Sequence, residues 1–377
     1  MSVELLCCGD ATHLDTWSNI PYFLLQAGRS RQLFSAGLAL HPEQLRWQRR
    51  LWNLQQWLRT GRPGGFQYSP WFLRSLWRQA SQIPALEGQP RRLLSHYPLL
   101  PPFPWPADWR VSFYIDATTR QVFEDYGAGS RISKAFQRVV LQRERAAYQA
   151  AEAVITMSDW AAESVCRDYG IESARVHVVP GGANLEERVI AALPVTPPPP
   201  APSPQTPLRL GFLGKDWERK GGPFVLALAE ALQAIGIPTV VRAIGPTQGD
   251  LPENPCLQPL GFIHKRKQMQ AFVQELRSWH FGTLFSSSEA FGISNRECLR
   301  LGVPLLARAT GGIPSTFTGE GCGRLFDQGM AVGDVVAWIR AHLDPYDRYL
   351  NMRQQLAAHS WDFSWDASAE QLQSILG

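Results

Sequence analysis

Long hydrophobic runs are missing from this 377-residue chain: none approaches the ~18 apolar residues of a membrane span. Its opening, MSVELLCCGD, has neither the basic start nor the long apolar stretch of a secretory leader, so residence in the cytoplasm is the expectation. Cysteine is sparse. The six residues Cys7, Cys8, Cys166, Cys256, Cys298 and Cys322 sit at scattered spacings in apolar segments, which excludes a C-x-x-C metal ribbon or a disulfide scaffold and predicts buried, reduced thiols. No D-x-D pair occurs anywhere. Residues 44–79 lack Asp and Glu altogether while holding seven arginines and five tryptophans.

What is present suits two domains, because 45% hydrophobic content fills more than one core in a chain of this length. The net charge of +4 is uneven: residues 1–193 carry 21 basic and 17 acidic side chains, and the remainder carries 16 of each. The segment PVTPPPPAPSPQTP, residues 194–207, excludes helix and inner strand and reads as an extended linker. On either side, short Val/Ile/Leu-rich runs alternate with longer amphipathic stretches. They are RVSFYI, AVITMS and RVHVVP before the linker, then LRLGFLG, TVVRAIG, FGTLFSS and PLLARA after it. Strands that are nearly all apolar and separated by helical patterns predict parallel sheets covered on both faces. The fold class is therefore α/β, with two doubly wound domains, and ligands are to be sought in the loops after the strands.

Three loops of the second half hold suitable residues. After LRLGFLG comes KDWERKGG, in which Lys215, Arg219 and Lys220 precede Gly221, Gly222 and a helical run from Pro223. A basic, glycine-flanked turn opening a helix offers an anion N–H groups, the positive helix end and cationic side chains, although a merely solvated turn would look the same. The second loop, GFIHKRKQM at 261–269, can lay backbone groups against a flat base. In the third, SSSEAFGISNREC, Glu289 and Glu297 flank a Phe-Gly turn. Ser294 and Glu297 fit a capping box at the start of a helix that runs through Arg300 and stops near Gly302, and that explains Glu297 structurally. It does not explain Glu289. Carboxylates on both sides of the turn, beside a helix start and a phosphate loop, suit the hydroxyls of a nucleotide-sugar.

These residues resemble the retaining glycosyltransferases of family four. The pair Glu289-AFGISNR-Glu297, followed by GVPLLA and TGGIP, is similar to that family's glutamate-x7-glutamate signature. The resemblance extends to GFLGKDWERKGG, to GFI at 261–263, to VITMSDWAAESVCRDYGIESARVHVVPGGANL at 154–185, and to a last helix in WDFSWDASAEQLQSI. It implies a GT-B fold: an acceptor domain over 1–193, the linker 194–207, a donor domain over 208–358 and a C-terminal helix over 359–377 crossing back, with the two domains facing each other across a cleft. It also implies transfer of a hexosyl group from a nucleotide-diphosphate sugar to an acceptor hydroxyl, with retention, in glycan, lipopolysaccharide or glycolipid synthesis.

Carried over by position, the resemblance makes Lys220 and Arg219 the diphosphate cations, with Gly214 and Lys215 beside them. Glu297 meets the ribose and Glu289 the transferred sugar. Phe291, Gly292, Ile293 and Ser294 complete that pocket, and Ile263 sits by the base. One position departs from the family: where many members have a histidine after a first-domain strand, RVSFYIDATTR has Asp116, which either contacts sugar or caps the following turn. Cations at 215–220 can replace a metal, so neither cofactor nor metal ion is expected.

Two other functions stay open. A nucleotide-sugar epimerase or hydrolase can use the same fold, and a nucleic-acid-binding module can use residues 44–79, although no nucleic-acid partner is expected. Within RWQRRLWNLQQWL, Trp47, Leu51, Leu54 and Leu58 recur at helical spacing, with Arg46, Arg49 and Arg50 around the other side. That helix either packs its apolar stripe on the first-domain sheet or lies on an anionic membrane face, where a lipid-linked acceptor would be met.

Overall fold

The computed structural model describes residues 3–41, 45–84, 90–96, 100, 105–247, 249 and 251–377. The chain divides into two compact units, one comprising Met1–Pro180 with Ala369–Gly377 and the other Gly181–Ser368.

The first unit holds a six-stranded sheet. Its strands are β1 (Val3–Cys8), β2 (Phe34–Leu40), β3 (Arg91–Ser95), β4 (Trp109–Ile115), β5 (Val154–Thr156) and β6 (Val176–Val178), in spatial order β2-β1-β3-β4-β5-β6. Every neighbouring pair is parallel. The central β4 is buried from Val111 to Ile115 because helices cover both faces, which is why RVSFYI reads as an unbroken apolar run. The core on one side gathers Leu73, Leu76, Phe113, Val140 and Tyr148.

The second unit repeats the scheme with β7 (Leu208–Leu213), β8 (Thr239–Ile244), β9 (Leu257–Gly261), β10 (Phe281–Leu284), β11 (Leu305–Arg308) and β12 (Gly323–Phe326). These are again all parallel, in order β12-β11-β10-β7-β8-β9. Read from the far edge, this is the doubly wound dinucleotide-binding order, and its direction of winding reverses between β7 and β10. Loops follow those two strands at their carboxyl ends, the place where open sheets of this kind bind ligands. They are the loops that carry Lys220 and Glu289.

The proline-rich segment belongs structurally to the second unit. Proline has no N–H to donate but leaves its carbonyl free, and three such carbonyls are used. Pro194 accepts from Arg277 at 3.2 Å, Pro200 from the His280 imidazole at 3.0 Å, and Pro199 from the Tyr346 hydroxyl. All six cysteines are free thiols; four are buried, whereas Cys8 and Cys166 are half-buried, so the expectation of burial fails for those two.

Candidate functional site

The loop after β7 is laced to the loop after β10. Ser287 N–H donates to the Arg219 carbonyl at 2.8 Å, and the Arg219 guanidinium donates to the Ser288 carbonyl at 2.7 Å. Arg219 N–H is itself held by the Asp216 carboxylate at 3.0 Å. From the far side, Gly312 N–H donates to the Glu289 carbonyl at 3.0 Å. Glu289 is thereby fixed by backbone on both flanks.

Its carboxylate collects three donors on one oxygen. Lys220 Nζ lies 3.0 Å from Glu289 Oε2, Arg219 Nη1 3.4 Å and Ser286 Oγ 3.3 Å. The lysine reaches it by passing its stem over Gly214, where an added Cβ would come 2.1 Å from Lys220 Cδ. Gly214 thus has a concrete role: any side chain there displaces Lys220. Two cations share one carboxylate in a partly buried turn, an arrangement that a second, stronger anion can draw on.

Gly292, at φ 98°, caps the helix Ile293–Arg300 and carries the chain from the EAF turn into it. This corrects the expected capping box. Ser294 lies inside the helix, its hydroxyl buried without a hydrogen-bond partner, and Glu297 does not reach back to a cap. Because the left-handed glycine starts the helix two residues earlier than a serine cap would, the Glu297 side chain turns instead into the unit, where it is 2% exposed and ion-paired with Lys265. Phe291 is buried beside this turn, and Ile293 is half-buried.

Lys265 was not among the residues read from sequence. It opens the helix Lys265–Arg277, directly after β9 and Ile263, and its Nζ also lies 4.7 Å from the centre of the Phe272 ring. Burial pushes the Glu297 carboxyl up, while Lys265 first and Lys220 second pull it down. The only legible signal was a run of cations, HKRK, whose pairing depends on a contact across 32 residues. Nearby, the half-exposed Phe262 ring stands 4.9 Å from Lys215 Nζ and 4.6 Å from the His264 ring. The second unit thus places Gly214, Lys215, Arg219 and Lys220 after β7, Ile263 after the edge strand β9, and the Glu289–Glu297 segment after β10, all beyond the carboxyl ends of its strands.

A first prediction follows for the buried pair. A carboxyl held above its ordinary value destabilises the fold only where it must ionise, so this cost is absent at acid pH. It grows as pH rises from the ordinary carboxylate range through the raised value. Lys265→Met removes the main compensation. The variant should lose melting temperature relative to wild type at neutral pH and approach wild type as pH falls towards 4, which thermal melts across pH will check.

Asp116 lies in the first unit, just past β4. The helix that follows, Thr119–Glu124, is capped by Thr118 in a capping box with Gln121, so capping that helix does not account for Asp116. Its neighbour is His96, at the end of the adjacent β3 and also missed in the sequence. The His96 Nδ1 faces the Tyr114 carbonyl at 2.8 Å, and Nε2 is buried without a partner. Burial lowers the imidazole's pKa, opposed by the Asp116 charge. With Nδ1–H donating to the carbonyl, the neutral ring presents Nε2 as an acceptor. The signal, a histidine just past the short Leu93-Leu94 stretch, was there to be read.

The family described as Glycosyltransferase Family 4 matches residues 34–187. A D-inositol 3-phosphate glycosyltransferase from Xylanimonas cellulosilytica is 26% identical over 248 residues, 58% of this chain and 55% of that protein. One from Corynebacterium urealyticum is 26% identical over 249 residues, 59% and 55%. The alignment therefore spans about half the length of these curated relatives. Among solved structures, sucrose-phosphate synthase from Thermosynechococcus elongatus has a TM-score of 0.64 at 14% identity, covering 100% of this chain and 98% of the other. WaaG, a glycosyltransferase involved in lipopolysaccharide biosynthesis, scores 0.62 at 12%, covering 99% of each. Anabaena HepE in complex with UDP and glucose scores 0.61 at 12%, also covering 99% of each. At these identities the structural likeness shows the fold.

Proposed function

We propose, from the match to the Glycosyltransferase Family 4 model over residues 34–187 and from the GT-B fold, that the chain is a glycosyltransferase that moves a hexosyl group, with retention, from a nucleotide-diphosphate sugar to an acceptor hydroxyl. The observation that carries this reading is the sharing of Glu289 by Lys220 and Arg219 at the winding switch point of the second sheet.

A donor diphosphate is a stronger anion than one carboxylate. Its arrival draws Lys220 and Arg219 onto the phosphate oxygens, helped by the helix start at Gly222, and releases Glu289 to accept hydrogen bonds from the sugar hydroxyls. Glu297 accepts the ribose hydroxyls, and Lys265 opposes the burial that disfavours its charge. Ile263 and its neighbours lie against the base. As the glycosidic bond breaks, charge builds on the leaving diphosphate, and preorganised cations stabilise it there. The departing phosphate takes the acceptor's proton on the face it leaves, which preserves the anomeric configuration. In the first unit, Asp116 is the proposed sugar contact, with the His96 Nε2 acceptor beside it.

The cations of the β7 loop neutralise the leaving group without a divalent ion. Activity should therefore survive EDTA with less than about a twofold loss. Abolition by chelator, with restoration by magnesium or manganese, would refute the metal-free mechanism.

The reading is tested by following nucleoside diphosphate release from nucleotide-sugars with and without added acceptors, and by reading the anomeric coupling of the first-formed product by NMR. Transfer with the donor's own anomeric configuration is expected. Consumption of donor with no second substrate would instead mark a hydrolase or epimerase. The acceptor we propose is lipid-linked or otherwise amphiphilic.

A further inference from the structure

The helix Arg46–Thr60 has the wrong side out for a soluble protein. Its inward face is held by Trp52, whose indole N–H donates to the Gly64 carbonyl at 2.9 Å and whose ring meets Trp71 and Phe136 at 6.4 and 5.3 Å. No residue of the helix is fully buried. The stripe Trp47, Leu51, Leu54 and Leu58, spaced three or four residues apart and so stacked on one face, points to solvent at 76%, 52%, 52% and 69% exposure, with Trp57 beside it at 55%. These five are half of the large apolar side chains exposed among the described residues. The alternative in which the stripe packs on the first sheet is thereby excluded.

Charge decides what covers the stripe. Arg46, Arg49, Arg50 and Arg59 on the helix and Arg62 just beyond it are exposed, and the Arg50 guanidinium lies 4.9 Å from the Trp47 ring centre. No Asp or Glu occurs from residue 44 to 79. A second copy of the chain seated on this face would bring two sets of arginines together with no counter-charge from these segments. An anionic bilayer supplies both things the face lacks: phosphate for the arginines, and headgroup-depth apolar volume for the tryptophans and leucines. No helix among the described residues is long and apolar enough to cross a membrane, so the contact is parallel to the surface.

We propose that residues 46–62 dock the first unit on an anionic lipid bilayer, with Trp47, Leu51, Leu54 and Leu58 at headgroup depth and the flanking arginines on lipid phosphates. This goes beyond the donor chemistry and stands apart from it; it adds only that an amphiphilic acceptor is met where it resides.

Vesicle flotation tests it. The protein should float with phosphatidylcholine vesicles containing phosphatidylglycerol, not with phosphatidylcholine alone, and the floated fraction should fall as salt rises. Arg49→Glu with Arg50→Glu, and separately Leu51→Glu with Leu54→Glu, should each lower the partition coefficient at least about tenfold. The melting temperature should stay within a few degrees, since all four side chains are exposed. Absence of flotation, equal flotation with neutral vesicles, or indifference to both double variants overturns the proposal. So does concentration-dependent dimerisation abolished by Leu51→Glu with Leu54→Glu, which would give the stripe to a second copy. Donor-induced thermal shifts measured on the same variants report the second unit separately, so failure of docking is distinguishable from failure of the glycosyl-transfer reading.

Discussion

Glu289→Gln should lower kcat about 10²- to 10³-fold while leaving affinity for a nucleoside diphosphate unchanged or tighter. The two halves of this result have one cause. In the free protein Glu289 Oε2 is the shared counter-ion of Lys220 and Arg219, so a binding diphosphate must displace it; the amide competes less well for those cations. The sugar's hydroxyls, however, lose the carboxylate that holds them as the anomeric carbon turns cationic. A group used in the transition state more than in the ground state lowers kcat rather than raising KM. Steady-state kinetics, with calorimetric titration of the diphosphate, separate the two effects. A variant with wild-type kcat would show that Glu289 merely neutralises the loop.

Lys220→Ala carries the opposite sign on binding. The lysine is one of two cations on the Glu289 carboxylate, and its stem fills the space that Gly214 leaves open. Its loss should cut transfer by about 10²- to 10³-fold and weaken nucleoside diphosphate binding as well, because the ground-state diphosphate already carries the charge that the lysine meets. Arg219 stays to balance Glu289, so no carboxylate is left unpaired and the fold should lose no more than about 1 kcal/mol. Normal activity in a well-folded Lys220→Ala protein would remove the phosphate site from the account. Together the substitutions form a sign test: one strengthens or preserves diphosphate binding, the other weakens it, and both lower turnover.

Much of this architecture was legible because parallel strands covered on both faces must be apolar throughout. LRLGFLG and FGTLFSS can therefore be placed as strands, and the loops after them as the candidate site, from the sequence alone. The cations of KDWERKGG and the two glutamates were legible for the same reason, since their position at strand ends is a local property. Pairing across the chain was not. Nothing local tells that Lys265 closes on Glu297, or that His96 at the end of β3 adjoins Asp116 past β4. The Ser294 cap was misread because a left-handed Gly292 can start a helix without any side-chain cap, and the S-x-x-E pattern survives as coincidence. The helix 46–60 illustrates a further limit: periodicity identifies an apolar stripe but not the direction it faces. Trp52, off the stripe, turned out to be the anchor.

The most direct measurement is a thermal-shift series of the full chain against uridine, guanosine, adenosine and cytidine diphosphates and their glucose and mannose conjugates, run in parallel on wild type, Lys220→Ala and Glu297→Ala. Ligands that bind only the folded state raise its melting temperature by mass action. The account predicts that diphosphates sharing one base, free and sugar-linked, stabilise the wild type, and that both substitutions sharply reduce this shift. A wild-type protein indifferent to every member, or shifts that persist undiminished in both variants, would contradict a nucleotide-sugar site built on the β7 and β10 loops.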